Sequence, residues 1–310
     1  MRVFRGLPPA ADSPIALTIG NFDGVHRGHQ AMLSRLVEAA DDLALPPAVL
    51  TFDPPPREFF AKVSAPARLS SIRDKLEKFA ARGVTRTYIA RFDGRLASLE
   101  PEAFIEAVLV RRLGVRWVLV GEDFRFGRGR TGDLATLRRN ARAFSVEGMR
   151  TVTIDGERAS STAVRAALVT ANFERASALL GRPFVIWGRV AHGAKLGRHL
   201  GFPTANLPLR RKPPVSGIFA VRVHGLGSAP VTGVASVGVR PTVTDTGVPV
   251  VEAFLFDFDA PIYGRRIGVE FVHKLRDEER YADLGALTRQ IEQDVARARE
   301  FFGATCAAAR

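Results

Sequence analysis

Apolar residues fall into two regimes along this chain. Up to about residue 182, short β-branched runs alternate with segments of helical spacing. The runs are Ile15–Ile19, Ala48–Phe52, Thr85–Arg91 and Trp117–Gly121, and a fifth strand is expected around Thr151–Ile154. Between them Met32, Leu33, Leu36 and Val37 keep helical spacing, as do Leu69, Ile72, Leu76 and Phe79. Phe104, Ile105, Val108 and Leu109 do the same behind Pro101, and Phe173–Leu180 forms a last short helix stopped at Gly181-Arg-Pro183. Strands alternating with helices predict a parallel, doubly wound sheet. Beyond Pro183 the runs Phe184–Val190, Gly217–His224, Val231–Val237, Val250–Phe256 and Ile267–Val272 follow one another without helices. That pattern predicts an antiparallel barrel. One amphipathic helix, with Leu284, Leu287, Ile291, Val295 and Phe302, closes the chain.

Chemistry is expected where strands end. In an open parallel sheet, ligands bind at the carboxyl ends of the strands. Ile19 runs into Gly20-Asn-Phe-Asp-Gly-Val-His-Arg-Gly-His29 and then into a helix. A helix N-terminus offers unpaired N–H groups to phosphate, and His26 and His29, three apart, share a face of its first turn. Read as metal ligands, the pair lacks a third His, Cys or carboxylate at ligand spacing. Gly121-Glu-Asp-Phe-Arg-Phe-Gly127 and Ser160-Ser-Thr-Ala-Val-Arg165 should lie on the same rim. The first is read either as exposed phenylalanines and arginines around a ring and a phosphate, or as a plain surface loop. The second is read as a helix cap or as a further phosphate cradle, with Arg165 on its first turn.

In the second half, glycines 188, 193, 197 and 201 precede Phe202-Pro-Thr-Ala-Asn206. Glycines at that density let backbone amides wrap a polyphosphate, although no Gly-Lys-Ser/Thr of a Walker loop is present. Thr204 and Asn206 alternate on an extended segment, so their hard oxygens face one way, as magnesium prefers. Glu252 is a lone carboxylate in the apolar run Val250–Phe256. It is read as a buried carboxylate of raised pKa, fit to be a base, or as half of a strand-end salt bridge.

The stretch Gly20–His29 resembles the His-x-Gly-His signature of nucleotidyltransferases. With Asn-Phe-Asp-Gly in front, it is similar to the amino-terminal module of the bacterial bifunctional riboflavin kinase/FAD synthetase family. The loops at 121–127 and 160–165 are similar to that family's next two motifs. Phe202–Asn206 behind its glycines resembles the riboflavin kinase signature, as do 255–264 and 274–281. The resemblance runs from Gly20 to the final helix. It implies a Rossmann-like nucleotidyltransferase domain over 1–182 and an antiparallel β-barrel riboflavin kinase domain over 183–310.

It further implies ATP-dependent phosphorylation of riboflavin to FMN, then adenylylation of FMN to FAD with release of pyrophosphate. Nucleotide would meet Gly20, Asn21, Phe22, Asp23, Gly24, Ser160, Ser161 and Thr162 in the first half, and Gly193, Lys195, Gly197 and Pro203 in the second. His26, His29 and Arg165 would stabilise developing charge, and Glu252 would be the kinase base. Flavin would lie near Asp123 and Phe126 in one site and near Arg276 and Tyr281 in the other. Thr204 and Asn206 would hold Mg²⁺ with ATP. Ser236 and Phe254 depart from the family's usual asparagine and histidine.

Composition narrows the class further. The 310 residues are 46% hydrophobic and 25% charged, and no apolar run approaches the roughly 18 residues of a membrane span. The start is not that of a signal peptide, and a single cysteine, Cys306, forms no internal disulfide. A cytoplasmic enzyme is expected. The net charge of +13 is dispersed: residues 183–310 carry 17 basic and 12 acidic side chains, the rest 28 and 20. A tRNA-associated protein on the same fold would carry a lysine-rich loop, and this chain has 6 lysines in all and no such loop. No specific nucleic-acid partner is expected. Oligomeric state is not legible.

Overall fold

The computed structural model describes residues 1–61, 65–193, 201–239 and 249–308. Two compact units emerge, one of residues 1–66 and 70–161, the other of 67–69 and 162–310.

The first unit is built on six parallel strands: β1 (Arg2–Arg5), β2 (Ile15–Ile19), β3 (Pro47–Phe52), β4 (Arg86–Ala90), β5 (Val115–Gly121) and β6 (Ser145–Met149). Their order across the sheet is β1-β4-β3-β2-β5-β6. Helices α1 (Arg27–Asp42), α2 (Pro56–Phe60), α3 (Ile72–Ala80), α4 (Gly94–Ala97), α5 (Pro101–Phe104) and α6 (Leu134–Asn140) connect them, and α5 continues as a wider π-type turn through Ile105–Arg112. The central strands alternate apolar side chains into two cores. Ile15, Leu17, Leu50 and Val118 pack on one face, while Ala16, Val49 and Leu119 meet Leu33, Leu36 and Phe79 of α1 and α3 on the other. Burial on both faces is why these strands read as continuous apolar runs.

The expected strand at 151–154 is corrected. The sixth strand of the sheet is Ser145–Met149, whereas Thr153–Ile154 (β7) forms only a small hairpin with Glu157–Arg158 (β8). Ser145-Val-Glu-Gly-Met149 is an edge strand, half-buried or exposed throughout, so it carries little apolar signal. The strand order reverses direction around β2, which has β3 on one side and β5 on the other. The loops leaving β2 and β5 therefore flank the switch point of the sheet.

The second unit contains α7 (Ser161–Val169, its first residue belonging to the first unit), α8 (Phe173–Leu180) and six antiparallel strands. The strands are β9 (Val185–Arg189), β10 (Thr204–Pro208), β11 (Gly217–His224), β12 (Val231–Val239), β13 (Pro249–Leu255) and β14 (Arg266–Arg276), in the order β10-β13-β12-β11-β14-β9. A bridge between Ala191 and Asn206 brings the two edges together, nearly closing the barrel. Phe219, Val221, Val237, Val251, Ala253, Leu207 and Phe271 are buried, one alternating set of positions along the strands. The other set faces the final helix, α9 (Leu284–Ala308), whose Val295, Ala298, Phe301 and Phe302 pack with Ile218, Ala220, Val234, Phe254 and Phe256. Phe173 of α8 packs edge-on against Phe219 and is stacked with Phe271. Among the described residues, no helix is long and apolar enough to cross a membrane.

Candidate active sites

In the first unit, the turn between β2 and α1 is a strained loop held from several sides. Phe22, Gly24 and Val25 all have positive φ, at 50°, 80° and 44°. That geometry is costly for a phenylalanine and more so for a β-branched valine, and it persists where surrounding contacts fix it. Those contacts are specific. The Asp23 carboxylate accepts from the Ser70 backbone N–H at 3.1 Å and from its hydroxyl at 3.3 Å, while Ser70 Oγ accepts from the Gly24 N–H at 2.9 Å. The Ser161 hydroxyl donates to the Asp23 carbonyl at 2.9 Å, and Lys75 Nζ donates to the Asn21 carbonyl at 2.7 Å. Phe22 is fully buried against Phe79. At Gly20 a Cβ would approach the Phe22 ring to 3.1 Å, and at Gly28 it would meet the Ala159 carbonyl at 3.1 Å.

His26 is the N-cap of α1, its Nδ1 accepting from the His29 backbone N–H at 3.4 Å. With Nδ1 as acceptor, the proton of a neutral ring sits on Nε2, where it can be donated. The two imidazoles are stacked, with centroids 3.6 Å apart. His29 is held well below the usual histidine pKa, chiefly by desolvation and then by His26 and Lys75. It is therefore a neutral imidazole at neutral pH. Its Nδ1 and the Asn21 Oδ1 are buried atoms without a hydrogen-bond partner among the described residues. Such atoms suit a site that a ligand completes.

The other expected residues of this half are placed less uniformly. Asp123, at the end of β5, is exposed and paired with Arg158. Phe126 is not the exposed ring expected: it is 7% exposed, packed with Phe104 and Phe124 in the core beneath the loop. Its place opposite Gly132 in a short antiparallel bridge turns it inward. Ser160 and Thr162 flank the start of α7, and Ser161 ties that start to the His26 loop by its bond to Asp23. Arg165, on α7, donates from Nε to the Ala67 carbonyl at 2.6 Å within the second unit.

In the second unit, strand register assembles the site. Asn206 on β10 stands opposite Glu252 on β13, and Glu252 opposite Ser236 on β12. Ser236 pairs with Ile218 on β11, and Ile218 with Arg276 on β14. Directly opposed residues project to the same face, so these five form one row across five strands. It is the face that α9 covers, not the barrel interior. Glu252 is accordingly half-buried rather than sunk in an apolar strand, which corrects the expectation of burial. Its apolar sequence neighbours Val251 and Ala253 point into the barrel, away from it.

Thr204 and Asn206 lie two apart on β10, and the Asn206 amide nitrogen donates to the Thr204 carbonyl at 3.1 Å. With nitrogen so committed, the amide oxygen and the Thr204 hydroxyl are the hard oxygen donors of the pair. A Cβ at Gly193 would come to 2.6 Å from all three terminal atoms of the Asn206 amide, so any other residue there would have to displace that amide. Pro203 precedes β10 directly, while Lys195 and Gly197 lie outside the described residues. Phe254, opposite Thr204, makes an edge contact with Phe202.

At the far end of the row, Arg276 stands 5.8 Å from the Tyr281 ring centre. Asp294 of α9, 2% exposed, binds its guanidinium through three hydrogen bonds of 2.7–3.1 Å and raises its pKa further. Gln290 donates to the same carboxylate at 3.1 Å. Sequence reading passed over Lys75 and Asp294. Each occupies an apolar-stripe position, Lys75 three residues after Ile72 and Asp294 three after Ile291, and that misfit was the available signal.

The FAD synthetase family model matches residues 9–163, and the riboflavin kinase family model matches residues 180–302. A bifunctional riboflavin kinase/FMN adenylyltransferase of Escherichia coli K12 is 47% identical, covering 98% of this chain and 99% of its own. The protein of the same description from Pseudomonas fluorescens is 49% identical over 91% of each chain. A crystal structure from Streptococcus pneumoniae, titled a macrolide-efflux protein, shares the fold, with a TM-score of 0.77, 27% identity and coverage of 94% of this chain and 97% of that one. Parallel-sheet and barrel units, each carrying its family's motif residues, make this chain a member of the bifunctional riboflavin kinase/FMN adenylyltransferase family, an enzyme that phosphorylates riboflavin and adenylylates FMN.

Proposed function

We propose that residues 1–182 carry the adenylyl transfer and residues 183–310 the phosphorylation, with magnesium accompanying ATP. In the kinase reaction, Glu252 takes the proton of the riboflavin 5′-hydroxyl as that oxygen attacks the γ-phosphorus and ADP leaves. Magnesium, when bound, supplies charge neutralisation on the phosphates. Thr204 and Asn206 would hold it, and their pair of hard oxygens, with the Asn206 amide set against Gly193, suits that ion. Gly193, Lys195, Gly197 and Pro203 would line the polyphosphate. Arg276 and Tyr281 would meet the flavin ring, fixed in attitude by Asp294.

In the adenylyl transfer, the FMN phosphate attacks the α-phosphorus of ATP and pyrophosphate leaves. The nucleophile is already anionic, so no protein base is needed. His26 and His29 donate to the phosphate whose charge grows, with Arg165 and the Ser160–Thr162 start of α7 adding donors. Asp123 would meet the flavin, and Phe126 supports that loop from beneath. The observation that carries the reading is the cross-strand neighbourhood of Asn206 and Glu252, metal ligand beside base.

Its test is a time course of riboflavin, FMN and FAD with purified protein and ATP, with Mg²⁺ present or chelated. FMN and then FAD should appear, and chelation should abolish both. The enzyme would work in the cytoplasm, on riboflavin, FMN and ATP. Its dispersed charge implies only salt-sensitive nucleic-acid binding, and a salt-resistant, sequence-selective complex would contradict that.

A further inference from the structure

A lysine in the interior of a small α/β unit needs a reason, because burying an ammonium is costly. Lys75 is 3% exposed, on the face of α3 that packs against the sheet. Its Nζ reaches the Asn21 carbonyl at 2.7 Å, and the Thr51 hydroxyl donates to the same oxygen at 3.4 Å. Asn21 opens the strained turn that ends at His26, and its own Oδ1 is one of the buried atoms without a partner among the described residues, as is His29 Nδ1. The ammonium thus binds the backbone of the turn itself.

We propose that Lys75 is a positioning residue for adenylyl transfer: by holding the Asn21 carbonyl it fixes the turn that leads to His29 and adds a positive charge to the surroundings of that ring. The inference rests on the assignment of His29 to the adenylyl-transfer site. Its consequence is electrostatic. The titratable groups acting on His29 are His26, stacked on it from the cap of α1, and Lys75, from α3. Asp23, on the same turn, gives its carboxylate to Ser70 instead. Desolvation chiefly, with both neighbours adding to it, disfavours a positive charge on His29, so the ring stays neutral and donates as an imidazole. A neutral donor strengthens its hydrogen bond as charge develops without attracting the anionic substrates equally in the ground state.

The experiment separates charge from scaffold. Lys75→Gln keeps a donor for Asn21 and removes the charge; Lys75→Arg keeps both. In full-length protein with labelled histidine, the His29 ring is followed by NMR from pH 5 to 8, and FAD formation from supplied FMN is measured over the same range. Lys75→Gln should move the His29 titration upward, towards that of free histidine. It should also give FAD formation an acidic limb, with kcat lost more than KM changed. Lys75→Arg should stay near the native curve, and riboflavin phosphorylation should be unchanged in both. If Lys75→Gln does not fold, Lys75→Met, which suits the apolar stripe, takes its place. A His29 titration that stays where it is when the charge is removed overturns the proposal, whatever happens to the rate. His29→Ala in the same assay tests the site assignment separately: normal FAD formation there refutes that assignment and leaves the titration result to judge Lys75.

Discussion

The two candidate sites, each proposed to handle a nucleotide polyphosphate, have opposite architectures. In the parallel unit the candidate groups sit on a turn and a helix start, fixed by Ser70, Lys75 and Ser161 reaching in from distant parts of the sequence. In the barrel they sit on neighbouring strands, fixed by the register that sets Asn206 beside Glu252 beside Ser236. The chemistry explains one further difference. A hydroxyl must lose a proton to attack phosphorus, and the row proposed for the kinase step holds a carboxylate, Glu252. An FMN phosphate has none to lose, and the acidic side chain of the other turn, Asp23, is committed to Ser70. One site needs a base at the reacting oxygen; the other needs neutral donors around growing charge.

Each half of that contrast can be broken separately. The largest effect is expected from Glu252→Gln, which removes the base and keeps the shape. FMN formation should fall ~10²–10⁴-fold while FAD formation from supplied FMN continues. Normal phosphorylation by this variant would remove Glu252 from the reaction. His29→Ala should do the reverse: FAD formation falls ~10²–10³-fold, as for the loss of one oxyanion donor, and FMN accumulates. The loss should appear in kcat, because the histidine meets charge present mainly in the transition state; an effect confined to KM for ATP would recast it as a ground-state binder.

Asp294→Asn sharpens the comparison from the Arg276 end of the row. Taking one partner from a buried ion pair costs about 3–5 kcal/mol, so thermal unfolding of the second unit should occur at lower temperature. The KM for riboflavin should rise, whereas adenylyl transfer from supplied FMN should not change. An unchanged riboflavin KM would leave Asp294 a purely structural anchor of α9. The smallest effect should come from Gly193→Ala. The added Cβ must push the Asn206 amide aside, raising the KM for ATP–Mg²⁺ in the kinase step, measured at varied magnesium, with little change in FAD formation. No change would mean that the Asn206 amide has room to move.

What the sequence revealed follows from where apolar residues have to go. Ile15–Ile19 and Gly217–His224 are read to the residue because each must fill a core. Edge strands were missed: Arg2–Arg5 and Ser145–Met149 border solvent and need no apolar pattern. The motif residues were legible as chemistry but not as environment. Phe126 proved to be core and Glu252 half-exposed, because side-chain direction depends on bridge and register partners far along the chain. The supporting charges were hidden for a related reason. Lys75 and Asp294 lie on helical stripes whose regularity invites the eye to pass over a single misfit, yet a charge there is buried and has to be held. Packing also moves the structural border. Helix α8 belongs with the barrel through Phe173, so a kinase fragment should be more stable when begun at residue 162 than at 183.

The central claim is that the base in the barrel and the donors on the helix turn belong to two separate reactions joined only by FMN. The direct measurement mixes equal amounts of Glu252→Gln and His29→Ala proteins with riboflavin and ATP–Mg²⁺, and follows the three flavins by chromatography. Alone, the first should leave riboflavin unconverted and the second should stop at FMN. Together they should make FAD, the second supplying FMN that the first adenylylates. A mixture that makes no more FAD than either variant alone would contradict the claim.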